Sequence, residues 1–159
     1  MTKTPARSQR KADESDFTII IEDQVGFQLR MAQLAVFSDI IEALKETGLR
    51  PVDLSALMLI ESDPGVRQQA ICDRLRMLRP NVVALVDGLE ARGLVDRQVD
   101  ANDRRANQVH LTDDGRRVLR RALDLQIEHT GRVTAVLDGI DVDNFMDGLK
   151  RLATLGKSA

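Results

Sequence analysis

Between Pro64 and Thr112 the hydrophobic period of the chain changes in an order that few folds accommodate. Over Gln68 to Leu75, Ala70, Ile71 and Leu75 recur at helical spacing for barely two turns, and Arg76 to Leu78 leave room only for a turn. Pro80 opens a second helix whose Val82, Leu85, Val86 and Leu89 share one face, and Gly93 closes it. Beyond Gly93 the period becomes two. Leu94, Val95, Arg97 and Val99 read as one strand and Asn107 to Leu111 as another, joined by the polar tip Asp100-Ala101-Asn102-Asp103-Arg104-Arg105. Two short helices across a tight turn, then a hairpin, make a helix-turn-helix with a wing. That arrangement presents the N-terminal end of its second helix to the major groove of duplex DNA.

The rest of the chain surrounds this stretch with helices. Residues 1–16 are polar and charged, and are expected to be a disordered tail; Arg7, Arg10 and Lys11 in it are within the vocabulary of phosphate contacts, although simple solvation suits them better. Phe17 to Ile21 is a short apolar run suited to packing on a neighbour. From Asp23 to Thr47 apolar residues recur on two adjacent helical faces, Val25, Leu29, Ala32, Val36, Ile40 and Ala43 on one, Phe27, Met31, Leu34, Phe37, Ile41 and Leu44 on the other. A helix apolar on two faces needs covering on two sides, and a second subunit is the natural second cover. Gly48 ends this helix. Pro51 starts the next, with Leu54, Leu57, Met58 and Ile60 expected inward, and Asp63-Pro64-Gly65 breaks the chain. Thr112, followed by Asp113 and Asp114, is a good N-cap for a long helix carrying Val118, Leu119, Ala122, Leu123, Leu125 and Ile127, in which Gly131 marks a kink or a stop. A final helix, about Val142 to Leu155, carries Phe145, Met146, Leu149, Leu152 and Leu155.

Composition narrows the function. Residues 64–112 hold eight basic and six acidic side chains, whereas residues 1–63 hold seven and eleven, so DNA affinity has to come from where a few arginines point. Four Phe and no Tyr or Trp argue against an aromatic platform for single strands. One Cys excludes an intrachain disulfide, two separated His offer no metal cluster, and no cofactor or metal is expected. No apolar run reaches the roughly 18 residues of a bilayer span, and no signal-peptide core is present, so a cytoplasmic protein without membrane contact is expected. No nucleophile–base pair or phosphate-cradling glycine loop supports an enzyme.

Five motifs stand in order: Gln68-x-x-Ile71-x-x-x-Leu75, Arg79-Pro80-x-Val82, Leu85-Val86-Asp87-x-Leu89-Glu90-x-Arg92-Gly93-Leu94-Val95, Asp103-Arg104-Arg105-Ala106 and Leu111-Thr112-x-x-Gly115. Together they resemble the MarR family of bacterial winged-helix transcription regulators, over about Val25 to Leu155. The resemblance implies a mainly α fold (an α+β winged helix), six helices with a two- to three-stranded β-wing, and an interleaved homodimer. It also implies a pseudo-palindromic operator in double-stranded DNA, with release by a small molecule, often an aromatic acid, or by thiol oxidation. On this basis the chain divides into the tail (1–16), a dimerisation helix region (17–50), the winged helix-turn-helix (51–115) and C-terminal dimerisation helices (116–159). The chain departs from the family pattern where it matters for reading DNA. Leu78 stands where a Ser or Thr cap is usual, Arg76 where Gly is frequent, and Asn81 in place of Thr. Val83, Ala84 and Gly88 replace polar residues, which makes the reading surface apolar.

Arg79, Pro80 and Asn81 open the second helix; Arg can pair with guanine and Asn with adenine, while phosphate or helix-end roles are the plainer alternative. Val83 and Ala84 suit thymine methyl groups, and equally suit solvent-facing filler. Gln68 and Gln69 at the start of the first helix suit a phosphate or solvent. The resemblance implies that Arg105 enters the minor groove and Asp103 orients it, with Arg104 beside them at the wing tip. Cys72 falls on an apolar inner face and reads as structural. For a ligand, Arg30 within its apolar stretch calls for an anion, either an effector carboxylate or phosphate, or a structural acid such as Asp53 or Glu61. Met31, Phe37 and His110 are weaker pocket candidates. Arg116, Arg117, Arg120 and Arg121 read as a solvated helix face. The expected function is a ligand-responsive repressor, its effector a small anion of the aromatic carboxylate or aryl-CoA thioester kind. The rival reading is a winged-helix protein-interaction module that has lost sequence-specific DNA binding.

Overall fold

The computed structural model describes residues 20–99 and 107–155. It divides into two units, residues 1–33 and residues 34–159. In the first, a 3-10 turn at Ile21–Asp23 leads into helix α1 (Val25–Leu44), which continues into the second unit. In the described part of the first unit Ile20, Ile21, Val25, Leu29 and Met31 are exposed and Phe27 is half-buried.

In the second unit α1 ends through a 3-10 turn at Lys45–Thr47 and a left-handed Gly48 (φ 65°), as the sequence predicts. Helix α2 (Pro51–Ser62) starts on proline, and its third residue, Asp53, turns back to accept from the Arg50 backbone N–H at 2.9 Å. The two-residue strand β1 (Val66–Arg67) precedes helices α3 (Gln68–Leu75) and α4 (Arg79–Ala91). Strands β2 (Val95–Val99) and β3 (Asn107–Leu111) pair antiparallel, Arg97 opposite Val109 and Val95 opposite Leu111, and β1 adds to the free side of β3 to give the order β1-β3-β2. Helix α5 (Asp113–Val136) is capped by Thr112, whose hydroxyl accepts from Gly115 N at 2.9 Å. Helix α6 (Val142–Leu152) is capped by Asp141. Six helices and a three-stranded wing are the expected architecture.

The core lies among α2, α3, α4 and the sheet. Leu57, Ile60, Ile71, Val82, Val86, Leu89, Val95 and Val109 are all sealed from solvent, and Cys72 sits buried among them. Hydrophobic burial of this kind is strong but has no direction, so polar contacts set the angles between elements. Asp53 is buried and held by the Arg50 side chain (Nη2 to Oδ1 2.7 Å), with Arg92 at the end of α4 3.8 Å away. Arg92 also reaches the Thr47 carbonyl at 3.4 Å. On the far side, Asp39 of α1 accepts from His129 Nδ1 and Arg132 Nη2, both at 2.7 Å, which ties α1 to α5; the His129 side chain is buried. Arg121 pairs with Glu46 on the same seam.

The junction between the wing and α5 is the tightest point. Thr112 donates its hydroxyl to the Gly93 carbonyl at 2.6 Å, and its backbone N–H to the Leu94 carbonyl at 3.1 Å. That geometry drives the start of α5 onto β2's entrance: a Cβ at Gly115 would stand 1.9 Å from the Leu94 carbonyl oxygen.

Three expectations change. Met58 is exposed, because the inner face of α2 runs Asp53, Leu54, Ala56, Leu57 and Ile60 and Met58 falls beyond its edge. Along α5 the buried stripe passes through Leu119, Ala122, Leu125 and His129 and leaves Ile127 exposed. Gly131 does not stop α5, which runs on to Val136. The last helix ends at Leu152, short of Leu155, and buries none of its residues.

Gly115→Ala forces a methyl into backbone that cannot move aside, so it should cost about 3 kcal/mol or more in urea unfolding. Asp39 gives a pH signature. The hydrogen bonds from Arg132, then His129, hold its carboxyl down from an ordinary 3.8 to about 2. A depressed carboxylate stabilises the fold above its ordinary value and loses that contribution as pH falls towards the folded one. The stability gap between wild type and Asp39→Asn should therefore be full at neutral pH and close between about pH 4 and about pH 2.

Candidate nucleic-acid interface

Helix α4 shows why its N-terminal end is the exposed one. Val82, Leu85, Val86 and Leu89 take the buried face, which leaves Arg79, Pro80, Asn81, Ala84 and Gly88 in solvent and Val83 half-buried at the flank. Pro80, at the second helical position, loses no intrahelical hydrogen bond there. The turn before it is held by Met77, whose N–H reaches the Cys72 carbonyl at 3.0 Å, and by Arg76 in the left-handed region (φ 52°), where a non-glycine residue is strained. Arg76 also donates to the Ala153 carbonyl at 3.1 Å, at the end of α6.

One guanidinium fixes α4 on this scaffold. Arg97 of β2, mostly buried, pairs with both Asp87 and Glu90 from successive turns of α4, and its backbone N–H reaches Glu90 Oε1 at 3.2 Å. With its amide oxygen turned inward, Gln68 at the start of α3 accepts from Arg97 Nε at 3.2 Å and Nη2 at 3.1 Å. Arg97 thus joins β2, α4 and α3 through a planar fork suited to two acids at once. Sequence reasoning placed Arg97 in the strand without giving it this role. The signal was there: it is a cation on the same alternation as Val95 and Val99, with two acids three residues apart on the preceding helix.

The other predicted residues fall into separate places. Gln68 faces Arg97, so it is engaged within the chain. Asp103, Arg104 and Arg105 lie outside the described residues. Arg30 and Met31 are exposed on the first part of α1, so no burial cost obliges Arg30 to find an acid. Asp53, one acid suggested for it, is held by Arg50. Phe37 is half exposed, later on the same helix. His110 is half-buried on β3 beneath the Gly65 turn, where a Cβ on Gly65 would come within 3.2 Å of its ring; its Nε2 is buried without a partner among the described residues. Of the second run of arginines, Arg116, Arg117 and Arg121 pair with Asp113, Asp114 and Glu46.

Arg97→Ala leaves Asp87 and Glu90 facing each other without a cation. Both are partly exposed, so the expected loss is about 1–2 kcal/mol in urea unfolding. Faster amide exchange concentrated in α4 distinguishes a loosened helix from general destabilisation.

Comparison with known proteins agrees with this geometry. A profile described as the MarR family matches residues 47–106. A transcriptional repressor, CouR, solved bound to a 23-mer DNA duplex, is 38% identical, with 84% of this chain and 93% of that one covered at a TM-score of 0.73. CouR bound to p-coumaroyl-CoA is 36% identical, covering 87% and 96% at 0.72. A MarR-family transcriptional regulator from Rhodococcus sp. RHA1 is 32% identical, covering 84% and 95% at 0.73. The chain belongs to the MarR family of winged-helix transcriptional regulators.

Proposed function

We propose that this chain is a repressor that binds a pseudo-palindromic operator as a homodimer and leaves it when a small anionic effector binds. The observation that carries the reading is the exposed first turn of α4, Arg79-Pro80-Asn81, on a helix clamped through Arg97. A helix N-terminus held this way suits the major groove, with Arg79 directed to guanine and Asn81 to adenine. Gln68 serves phosphate contact only after yielding Arg97, so its first duty is to the clamp. At the wing, Asp103, Arg104 and Arg105 supply the minor-groove contact that the sequence resemblance implies.

The dimer reading rests on α6. It carries Phe145, Met146, Leu149 and Leu152 at helical spacing, yet none of its residues is buried. An apolar face of that extent requires a cover, and a second copy supplies the same face by two-fold symmetry. Two copies place two recognition helices on successive major grooves, which is the geometry a pseudo-palindrome matches.

The effector class is drawn from Arg30 and from the relative bound to p-coumaroyl-CoA. An exposed guanidinium on α1 is available to a carboxylate or a phosphate, and Met31 and Phe37 on the same helix offer apolar surface to an aromatic group. The effector is accordingly read as an aromatic carboxylate or its CoA thioester. Release requires that it bind the DNA-free geometry more tightly than the DNA-bound one.

Selection of duplexes from genomic fragments tests the reading. Wild-type protein should recover a pseudo-palindrome, with affinity falling steeply as salt rises and Arg105→Ala binding more weakly throughout. Recovery of no duplex would sink the reading and leave the protein-interaction module in its place. CoA thioesters of aromatic acids should release the duplex, and Arg30→Ala should need more of them.

A further inference from the structure

The outward surface of α4 contains two choices that weaken the helix with no return inside the chain. Leu78, the residue before the first turn, is 75% exposed and gives the helix no side-chain cap. Ser, Thr, Asp or Asn there would offer a side-chain acceptor to the Asn81 N–H, which reaches the Leu78 carbonyl at 2.9 Å, and stabilise the helix by up to about 1 kcal/mol. Its neighbour Met77 packs against the core, so Leu78 is not needed for that purpose. Further along, Gly88 stands in the helix interior, where glycine is about 1 kcal/mol worse than alanine. A Cβ there would meet nothing within 4 Å. Neither the large exposed leucine nor the missing methyl is explained by packing among the described residues; Leu78 directly precedes Arg79, and Gly88 stands one turn beyond Ala84.

Something outside the chain therefore has to account for this surface. It runs along the helix that a helix-turn-helix directs into the major groove, and a 38% identical relative is solved on a DNA duplex. The apolar group that the major groove displays is the thymine 5-methyl. We propose that this regulator reads its operator in large part through thymine methyl groups, received by Leu78 and Ala84 with Val83 at the flank, and that Gly88 lets the helix lie closer to the base edges. The inference rests on the DNA-binding reading above and names the chemistry of its code. Hydrogen-bonded readout is then confined to Arg79 and Asn81, and the half-site is expected to hold thymines beside the bases those two read.

Replacing thymine by uracil removes one methyl and leaves every hydrogen-bonding group in place. In the duplex that the full-length protein selects, each thymine of a half-site is changed singly to uracil and affinity is measured at fixed salt. At one or more positions binding should weaken about fourfold, the effect of losing one buried methyl-sized group. Leu78→Ser, which restores a helix cap, should melt at a higher temperature than wild type and lose the thymine–uracil difference at its position. Gly88→Ala should also melt higher while binding the selected duplex more weakly.

Equal affinity for every uracil duplex overturns the methyl inference while leaving sequence-specific binding intact. An unchanged thymine–uracil difference in Leu78→Ser removes Leu78 as a reader, and undiminished affinity in Gly88→Ala removes the close approach. If no duplex is selected, both this inference and the regulator reading fall.

Discussion

The placement of the recognition helix depends on one guanidinium. Apolar packing holds α4 against α3 and the sheet, but such packing tolerates sliding and rotation because it has no preferred direction. Arg97 removes that freedom. From β2 it takes Asp87 and Glu90, three residues apart on α4, and with the same group it faces Gln68 at the head of α3. A planar fork that meets two acids has few acceptable orientations. The wing, the recognition helix and the helix before it are thereby fixed to one another at a single mostly buried point.

The same logic recurs around this centre. Thr112 bonds to Gly93 and Leu94 and caps α5, and Gly115 lets the cap close at a distance no side chain would permit. Asp53 ties the start of α2 to Arg50 and approaches Arg92 at the end of α4. Asp39 joins α1 to His129 and Arg132 on α5. Each joint is a carboxylate or hydroxyl shared between elements distant in sequence. Between them they leave one part of α4 unencumbered, its first turn with the neighbouring apolar surface. A rigid mount with a free tip is what recognition of a fixed groove geometry calls for.

Local chemistry made much of this legible in the sequence. Pro51, Pro80, Gly48 and Gly93 mark element ends by backbone preference and Thr112 by its capping hydroxyl, and the structure uses each of them that way. The buried stripe of α4 followed from spacing without error. What spacing could not supply was partners. Arg97 meets acids on another element, and Asp39 meets residues 90 and 93 positions away, so neither pairing leaves a periodic trace. Met58 departs from its expected inward place because an apolar residue at the margin of a stripe does not reveal how far its cover extends. Arg30 drew attention as a cation in an apolar run, yet a helix face exposed in the single chain carries no burial cost. The apolar character of the outward face of α4 was legible from Val83, Ala84 and Gly88; the exposure of Leu78 was not, since the adjacent Met77 is the one that turns inward.

Recognition by the first turn of α4 is open to a direct measurement: duplexes are selected from a random library by wild-type protein and by Asn81→Ala, and the recovered motifs are compared. Wild type should yield a two-fold symmetric motif. Asn81→Ala should keep its spacing while losing the preference at one base pair in each half-site, an adenine position by the pairing chemistry of asparagine. An identical motif from both proteins would contradict base recognition by this turn, and no motif from either would contradict DNA recognition altogether.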